Sequence, residues 1–262
     1  MKILSITAIG IKECLRRRIL YGIFLMAVLF IIMGKGCNPG TIRGDNLLFD
    51  RATRDSIAMT AAFHGIVFWS LLLCGLVSAA VLSKELEDGT ALLILSRPIR
   101  PASFIAGKLL SALSVSVLNL LVLGGLFCIF FYTEVGSSNA GIFAGLLWMI
   151  PSLILYTLMT CCFSLLLPRV LAPLASILLY VTACWASLPQ YFEKLRIVWT
   201  PSETVTAIYK LFPCFGDLQF IGGALIHGAS PGEHLTGTIV NVCLYCAGFW
   251  LLIIFSFARR KL

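Results

Sequence analysis

The sequence has too few charged residues for a water-soluble protein. Asp, Glu, Lys and Arg together make up 12% of its 262 residues, against roughly 25% in a typical soluble domain. Apolar residues make up 59% and the mean hydropathy is +0.97, so polar groups could not cover a water-facing surface. The formal net charge of +8 does not indicate nucleic-acid binding, because the basic residues stand beside the ends of apolar runs. We therefore predict an all-α polytopic membrane protein in which residues 1–262 form a single transmembrane domain.

Three further absences limit how such a protein could be driven. No Asp, Glu, Lys or Arg lies at the centre of an apolar run, although ion-coupled carriers generally need such a group. The sequence has no internal repeat with paired broken helices, the usual mark of secondary transporters. It also lacks G-x-x-x-x-G-K-[ST], since Gly107-Lys108 is not preceded by the required loop. If the protein moves a solute uphill, a partner must supply the energy.

The ten cysteines do not indicate a disulfide framework, because most lie inside apolar runs and act there as small apolar side chains. Cys243 and Cys246 form C-x-x-C in such a run, without the neighbouring histidine that a metal or redox role would need. Cys37 and Cys214 fall in two predicted outer loops, and their pairing is left open.

The apolar runs predict six transmembrane helices, at residues 19–33, 61–82, 109–132, 142–167, 170–188 and 235–257. Pro151 should kink the fourth of them, and Pro168 should make a tight inner turn before the fifth. No signal-peptidase site follows the first run, so we keep it as a span. Basic residues are concentrated in the segments that this topology puts inside, which predicts that both termini are cytoplasmic.

Two segments outside the spans have helical patterns of their own. Residues 1–18 put Leu4, Ala8, Ile11 and Leu15 on one stripe, which predicts an interfacial amphipathic helix on the inner leaflet. The outer loop, residues 189–234, is too apolar for a soluble insert. It suggests short helices at 205–212 and 218–226 with breaks at Pro213, Gly216 and Gly228. These helices could dip into the outer interface or rest on lipid.

The ordered polar stretch at residues 82–108, LSKELEDGTALLILSRPIRPASFIAGK, separates the second and third predicted spans. Gly89 is a predicted helix stop, and the apolar run at 91–95 predicts a short amphipathic helix. Pro98 and Pro101 forbid a continuous helix. The stretch therefore predicts a compact knob on the inner face. The alternative is a solvated loop whose charges serve topology alone.

The pattern E-x-E-D-G-T-x-x-L-L-x-L-S-R-P-I, followed by Phe104 and Gly107-Lys108, resembles the first cytoplasmic loop of type-2 ABC (ABC-2) transporter permeases. The chain looks most like the compact bacterial permeases grouped with multi-copper enzyme maturation. The resemblance implies that residues 83–108 are a coupling helix that docks on a separate ATP-binding subunit. It also implies that the outer helices between spans 5 and 6 help to close an outward gate.

The expected function is that of a permease subunit of an exporter in the bacterial inner membrane. Two ATPase subunits would bind ATP and Mg²⁺, a second permease would complete the path, and this chain would need no cofactor or metal and would not itself be an enzyme. The residues expected to shape or contact the ATPase are Glu85, Glu87, Asp88, Gly89, Thr90, Leu93, Arg97, Pro98, Arg100 and Phe104.

Two other functions stay open on the sequence. Histidines at the outer face, His64, His227 and His234, could serve a redox or cofactor-maturation protein. A membrane scaffold that transports nothing would have the same composition. The cargo, and the choice between a homodimer and a heterodimer of permeases, are not specified by any residue.

Overall fold

The computed structural model describes residues 2–16, four positions between 21 and 29, and residues 51–87, 101–135, 140–168, 171–194, 212–228 and 235–259. Over these ranges the chain is helical and has no strand. The helices are α1 (Lys2–Arg16), α2 (Arg51–Glu87), α3 (Pro101–Val135), α4 (Ala140–Trp148), α5 (Ile150–Leu166), α6 (Leu171–Lys194), α7 (Phe215–Ile226) and α8 (Leu235–Arg259).

Four apolar segments in the described part of the chain are long enough to cross a membrane, namely Met59–Val81, Ala102–Ile129, Gly141–Leu166 and Leu235–Phe257. Leu171–Trp185 and Phe215–Ile226 are shorter apolar helices. The prediction of a helical membrane protein is confirmed. The number of six spans stays a prediction, because the first predicted span lies almost wholly outside the described residues.

α2 and α3 are much longer than a bilayer requires. They contain 37 and 35 residues, which at 1.5 Å per residue is about 50–55 Å, against an apolar core of about 30 Å. The third span was predicted to begin at residue 109, but its helix already includes Pro101. Proline suits the first turn of a helix because its missing N–H needs no partner there. The polar pair Gly107-Lys108 therefore lies within the helix.

The predicted break in the fourth span is confirmed. α4 ends at Trp148, Met149 forms a turn, and α5 begins with Pro151 in its first turn. The turn after α5 is also explained by a proline. Leu167, which precedes Pro168, is extended (φ −116°, ψ 157°), because the residue before a proline prefers this conformation. The carbonyl oxygen of Pro168 then accepts bonds from the N–H groups of Leu171 and Ala172 at 2.9 and 3.1 Å.

α7 is buried against the protein. Phe215 and Ile226 at its two ends are both 0% exposed, and the helix contacts α2, α4, α5 and α6. It ends at Gly228, whose φ of +72° suits glycine. The helix predicted at 218–226 therefore exists but begins earlier. The predicted break at Gly216 is wrong, because this residue lies within the helix. The helix predicted at 205–212 lies outside the described residues, apart from Phe212.

The core joins α2, α3 and α5 along their lengths. Cys74 of α2 contacts Thr157 of α5, and one turn further Ser78 contacts Cys161, so these two helices run parallel. α3 runs antiparallel to α2 and lies beside both. α4, α6, α7 and α8 pack around this unit, and α1 packs on the inner end of α3.

Candidate functional site

The two arms of the predicted coupling loop are helical where the structure describes them. Glu85 and Glu87 lie in the last turn of α2, and α3 carries Phe104 in its first turns. Seven of the predicted contact residues lie outside the described residues, namely Asp88, Gly89, Thr90, Leu93, Arg97, Pro98 and Arg100. The ATPase-docking surface itself thus stays a prediction. The helix ends on either side of it, α2 up to Glu87 and α3 from Pro101, can be described.

Phe104 is buried at the start of α3. Its side chain is 1% exposed and lies in a cluster with Ile105 and Leu109 of α3, residues of α5 that include Cys161, and Ile253 and Phe257 of α8. The burial leaves Phe104 no exposed surface for a partner in this conformation. It instead connects the start of α3 to the C-terminal halves of α5 and α8.

α1 packs on the protein through a face that differs from the predicted apolar stripe. Thr7, Gly10 and Cys14 are buried, at a spacing that puts them on one side of the helix. Leu4 and Ile9 are 71% and 64% exposed. The helix therefore packs on the protein through small residues, and apolar side chains such as Leu4 and Ile9 point away from it.

Gly10 permits a close approach between α1 and α3. A Cβ atom at this position would lie 2.6 Å from Ser111 Oγ and 2.8 Å from Ser111 Cβ, closer than side-chain atoms tolerate. One turn earlier, the Thr7 hydroxyl donates to the carbonyl oxygen of Gly107 at 3.3 Å. Small side chains on both helices thus bring the backbones together, as is common between membrane helices.

An ion pair lies at the edge of this contact. Lys108 Nζ is 3.5 Å from Glu13 Oε2, and the lysine side chain is 6% exposed while that of Glu13 is 38% exposed. A lysine with so little exposure needs a compensating charge, because an unpaired buried ammonium is costly. Glu13 supplies this charge from α1, which links the helix to the start of α3 electrostatically as well as sterically.

Cys14 extends the contact to the other arm. It forms a small apolar cluster with Val77 and Val81 of α2 and with Ala112 and Val115 of α3. α1 thus packs on the start of α3, at a point where α3 itself packs on the apolar part of α2.

The outer histidines are used in helix contacts where they are described. His64 Nδ1 lies 2.7 Å from the carbonyl oxygen of Thr60, to which it must donate. The Thr60 hydroxyl donates to the carbonyl oxygen of Ser56 at 2.9 Å, so at 2.8 Å it accepts from Nε2–H of His227. This bond joins the end of α7 to the outer end of α2.

The described residues contain no group of three or more potential metal ligands, and His234 lies outside them. Cys214, considered for a disulfide, is buried at the start of α7, where its backbone N–H donates to Asn241 Oδ1 at 3.1 Å. Cys37 lies outside the described residues, so the pairing stays open.

The role of α1 is the feature that sequence reasoning missed. Its apolar stripe predicted a contact with lipid, and no pattern in the sequence indicated that Thr7 and Gly10 contact the rest of the protein. The signal that could have indicated it is a glycine in α1 together with Gly107, Lys108 and Ser111 at the start of α3. The sequence alone, however, does not show that positions so far apart in the chain are neighbours.

Four long apolar helical segments, one of them interrupted just before Pro151, define an α-helical membrane protein. The family model described as ABC-2 family transporter protein matches residues 5–182, which is more than half of the chain. The chain therefore belongs to the ABC-2 transporter family, as the loop motif indicated. The match includes α1 and the loop and ends within α6. No curated protein matches the sequence.

Proposed function

We propose that the chain is the permease subunit of an ABC exporter in the bacterial inner membrane, with both termini in the cytoplasm. Two separate ATPase subunits would bind ATP and Mg²⁺ and dock on residues 83–108, and a second copy or a related permease would complete the path. The family match supports the permease class. The absence of a nucleotide-binding motif from the sequence supports a separate source of energy.

The observation that carries this proposal is the packing of α1 on the start of α3, the helix that follows the loop. The apolar part of α2 ends at Val81, and its helix continues to Glu87. A continuous helix transmits a push along its axis, so movement of the docked loop would tilt α2 and α3 in the bilayer. α1 is joined to α3 through Gly10 and the Glu13–Lys108 pair, and Cys14 belongs to an apolar cluster that also includes residues of α2, so α1 would follow a movement of α3.

Within this proposal the predicted contact residues have separate roles. Glu85 and Glu87, on the last turn of α2, would present acidic groups to the ATPase together with Asp88. Gly89 and Thr90 would shape the turn, Leu93 would supply an apolar contact, and Arg97, Pro98 and Arg100 would form its basic rim. Phe104 would act indirectly, through its packing at the start of α3.

Co-purification of the tagged chain from native membranes tests the partner. We expect an ABC ATPase to be recovered, and we expect Glu87→Arg and Gly89→Pro to reduce its recovery. Lys12→Glu is the control, because Lys12 is an exposed charge on α1 outside the loop. Recovery of no ATPase with the unmodified chain, or equal recovery with both loop variants, would contradict the proposal.

A charge exchange tests the contact between α1 and α3 at the Glu13–Lys108 pair. Glu13→Lys brings two positive charges together and Lys108→Glu two negative ones, so each should lower the ATP hydrolysis of the assembled complex. We expect a loss of about 5-fold or more, the lower end of coupling free energies of 1–3 kcal/mol. The double exchange restores an opposite-charge pair and should recover much of the activity. Activity that is unchanged in both single variants would exclude a role for the pair.

A further inference from the structure

α7 covers about half the thickness of a membrane. Directly after the helix, His227 bonds to Thr60, the second residue of the apolar segment Met59–Val81 of α2. One turn earlier in α7, a Cβ on Gly223 would lie 3.9 Å from Cε1 of His64, which is one turn later in α2. The two helices therefore run antiparallel. The 12 residues of α7 extend about 18 Å, against an apolar membrane core of about 30 Å.

The first residue of α7 lies deep among the other helices. The Phe215 ring is 6.4 Å from the ring of Tyr156 and 5.2 Å from that of Tyr180. Tyr156 is close to the centre of the apolar segment Gly141–Leu166. α7 thus runs between the edge of the membrane, at Thr60, and approximately its middle, although the sequence pattern assigned its residues to a loop outside the spans.

Asp217 is the acidic residue that α7 brings to this depth. It lies in the first turn of the helix, and the ten residues up to His227 correspond to about 15 Å along the axis, half of the apolar core. The four long apolar segments of the described chain contain no Asp or Glu. An ionisable side chain at such a depth almost always faces protein or a water-filled cavity, because exposure of its charge to lipid is costly.

The side of α7 that carries Asp217 is the least buried one. Phe220 is 45% exposed, and Asp217 and Ala224 are partly exposed. Their spacing of three and four residues puts these three on one side of the helix. The opposite side is packed on the protein and consists of Phe215, Leu218, Gly222 and Ile226, all buried. We call Asp217, Phe220 and Ala224 the open face of α7.

The open face combines two groups that attract the same kind of ligand. Asp217 and Phe220 are neighbours on the helix surface because they are three residues apart. A carboxylate attracts a positive charge, and the face of an aromatic ring attracts a cation that carries apolar substituents. The start of a helix also stabilises a negative side chain in its first turn, so the carboxylate suits this position.

We propose that Asp217 and Phe220 bind an organic cation, a charged onium centre that carries apolar substituents. The open face then lines the path that the second permease completes, and cargo of this chemical class contacts it near the middle of the membrane. The role in transport rests on the proposed function, whereas the binding of the cation does not.

Equilibrium binding of tetraphenylphosphonium to the full chain in lipid nanodiscs tests the site, with binding to empty nanodiscs subtracted. We expect Asp217→Asn to weaken binding by about 30-fold, or about 2 kcal/mol, the lower end for loss of one partner of a buried charge pair. Phe220→Leu should weaken it by about 5-fold, since a cation on an aromatic ring contributes about 1 kcal/mol. Asp217→Glu and Phe220→Tyr are the matched controls and should retain most of the affinity.

Tetraphenylborate has the same shape as the probe and the opposite charge, so Asp217→Asn should not weaken its binding. The carboxylate could instead serve only the start of α7. In that case Asp217→Asn would lower the Tm and leave the affinity for tetraphenylphosphonium unchanged, which would overturn the proposal. Binding of tetraphenylphosphonium no stronger than to empty nanodiscs would overturn it too. Phe220→Leu keeps the test valid if Asp217→Asn does not fold.

Thiol labelling tests whether the open face meets water. In a chain whose native cysteines are replaced, Phe220→Cys reports on the open face and Leu218→Cys, at a position 1% exposed, on the buried side. Relative to a small free thiol, a cationic methanethiosulfonate should modify Phe220→Cys several-fold faster than Leu218→Cys. It should also react faster there than an anionic one, and Asp217→Asn should remove this preference. If neither reagent modifies Phe220→Cys, the open face does not meet water and the proposal fails.

The cation site and the proposed function can fail separately. Both measurements use the chain without an ATPase, so failure to recover an ATPase would remove the transport role and leave the cation site standing. In the assembled complex, tetraphenylphosphonium should raise the rate of ATP hydrolysis, and Asp217→Asn should abolish this increase. A rate that does not respond to the probe would exclude organic cations as cargo.

Discussion

At the scale of single residues, Gly10 decides how closely α1 approaches α3. Any larger residue there would push against Ser111, whose own hydroxyl is held by the carbonyl oxygen of Lys108 at 2.7 Å. We expect Gly10→Val to cost about 1–3 kcal/mol, the usual range for overpacking, and to weaken the recovery of the ATPase. Thermal unfolding in nanodiscs measures the first effect.

The control for Gly10→Val is Ala8→Val, an equally branched change on the exposed side of the same helix. It should leave the Tm nearly unchanged, because surface substitutions away from contacts usually have small effects. If the two variants lose the same stability, the contact with Ser111 does not explain the loss, since valine is a better helix former than glycine and propensity alone would not destabilise Gly10→Val.

Sequence reasoning at this scale identified charges and prolines but not their partners. Pro151 and Pro168 have consequences that are local in the chain, so their breaks could be predicted. Lys108 was assigned to a loop because it is charged, whereas it is a buried helical residue paired with Glu13. A partner far away in sequence can compensate a charge that local rules assign to solvent.

At the scale of elements, α7 is held to the fourth span by a contact between two glycines. A Cβ on Gly145 of α4 would lie 2.8 Å from the carbonyl oxygen of Gly222 in α7. A backbone atom cannot rotate away as a side chain can. We expect Gly145→Ala to separate the helices and to lower the stability by about 1–3 kcal/mol, measured as a fall in Tm.

Gly125 of α3 provides the comparison, because a Cβ there meets nothing within 4 Å. Gly125→Ala should keep or slightly raise the Tm, since alanine is favoured over glycine within a helix by roughly 0.5–1 kcal/mol. A similar fall in both variants would mean that the contact between α4 and α7 is not tight.

The hydrogen bond from His227 to Thr60 connects the C-terminal end of α7 to α2. Thr60→Val preserves the shape of the side chain but removes the acceptor, so we expect a loss of about 0.5–1.5 kcal/mol. Thr60→Ser keeps the hydroxyl and should retain most of the stability. If both variants unfold at the same temperature as the unmodified chain, the bond contributes nothing measurable to stability.

At the scale of the whole molecule, the exposed apolar surface indicates which faces meet lipid or another subunit. α8 exposes Leu244, Leu251 and Phe255 at 68%, 66% and 54%. At its inner end Arg259 lies over the Phe255 ring at 4.3 Å from the centroid. A cation held on an aromatic ring at a helix end is suited to a membrane interface.

The proposed function puts the C-terminus in the cytoplasm, and this position can be tested. A fluorescent protein that folds only in the cytoplasm, fused after Leu262, should fluoresce, and alkaline phosphatase fused at the same position should be inactive. The reverse result would place residues 83–108 outside as well, where no ATPase could reach them. It would thus contradict the proposed coupling at once.

The sequence alone determined the membrane environment, the breaks at the prolines and the family, because hydropathy, proline geometry and the loop motif are each contained in neighbouring residues. The tertiary structure decided which face of α1 meets the protein, what compensates Lys108, and that Gly145 and Gly222 bring α4 and α7 together. These depend on the register between helices that are distant in the chain, and register is set by the packing of whole surfaces.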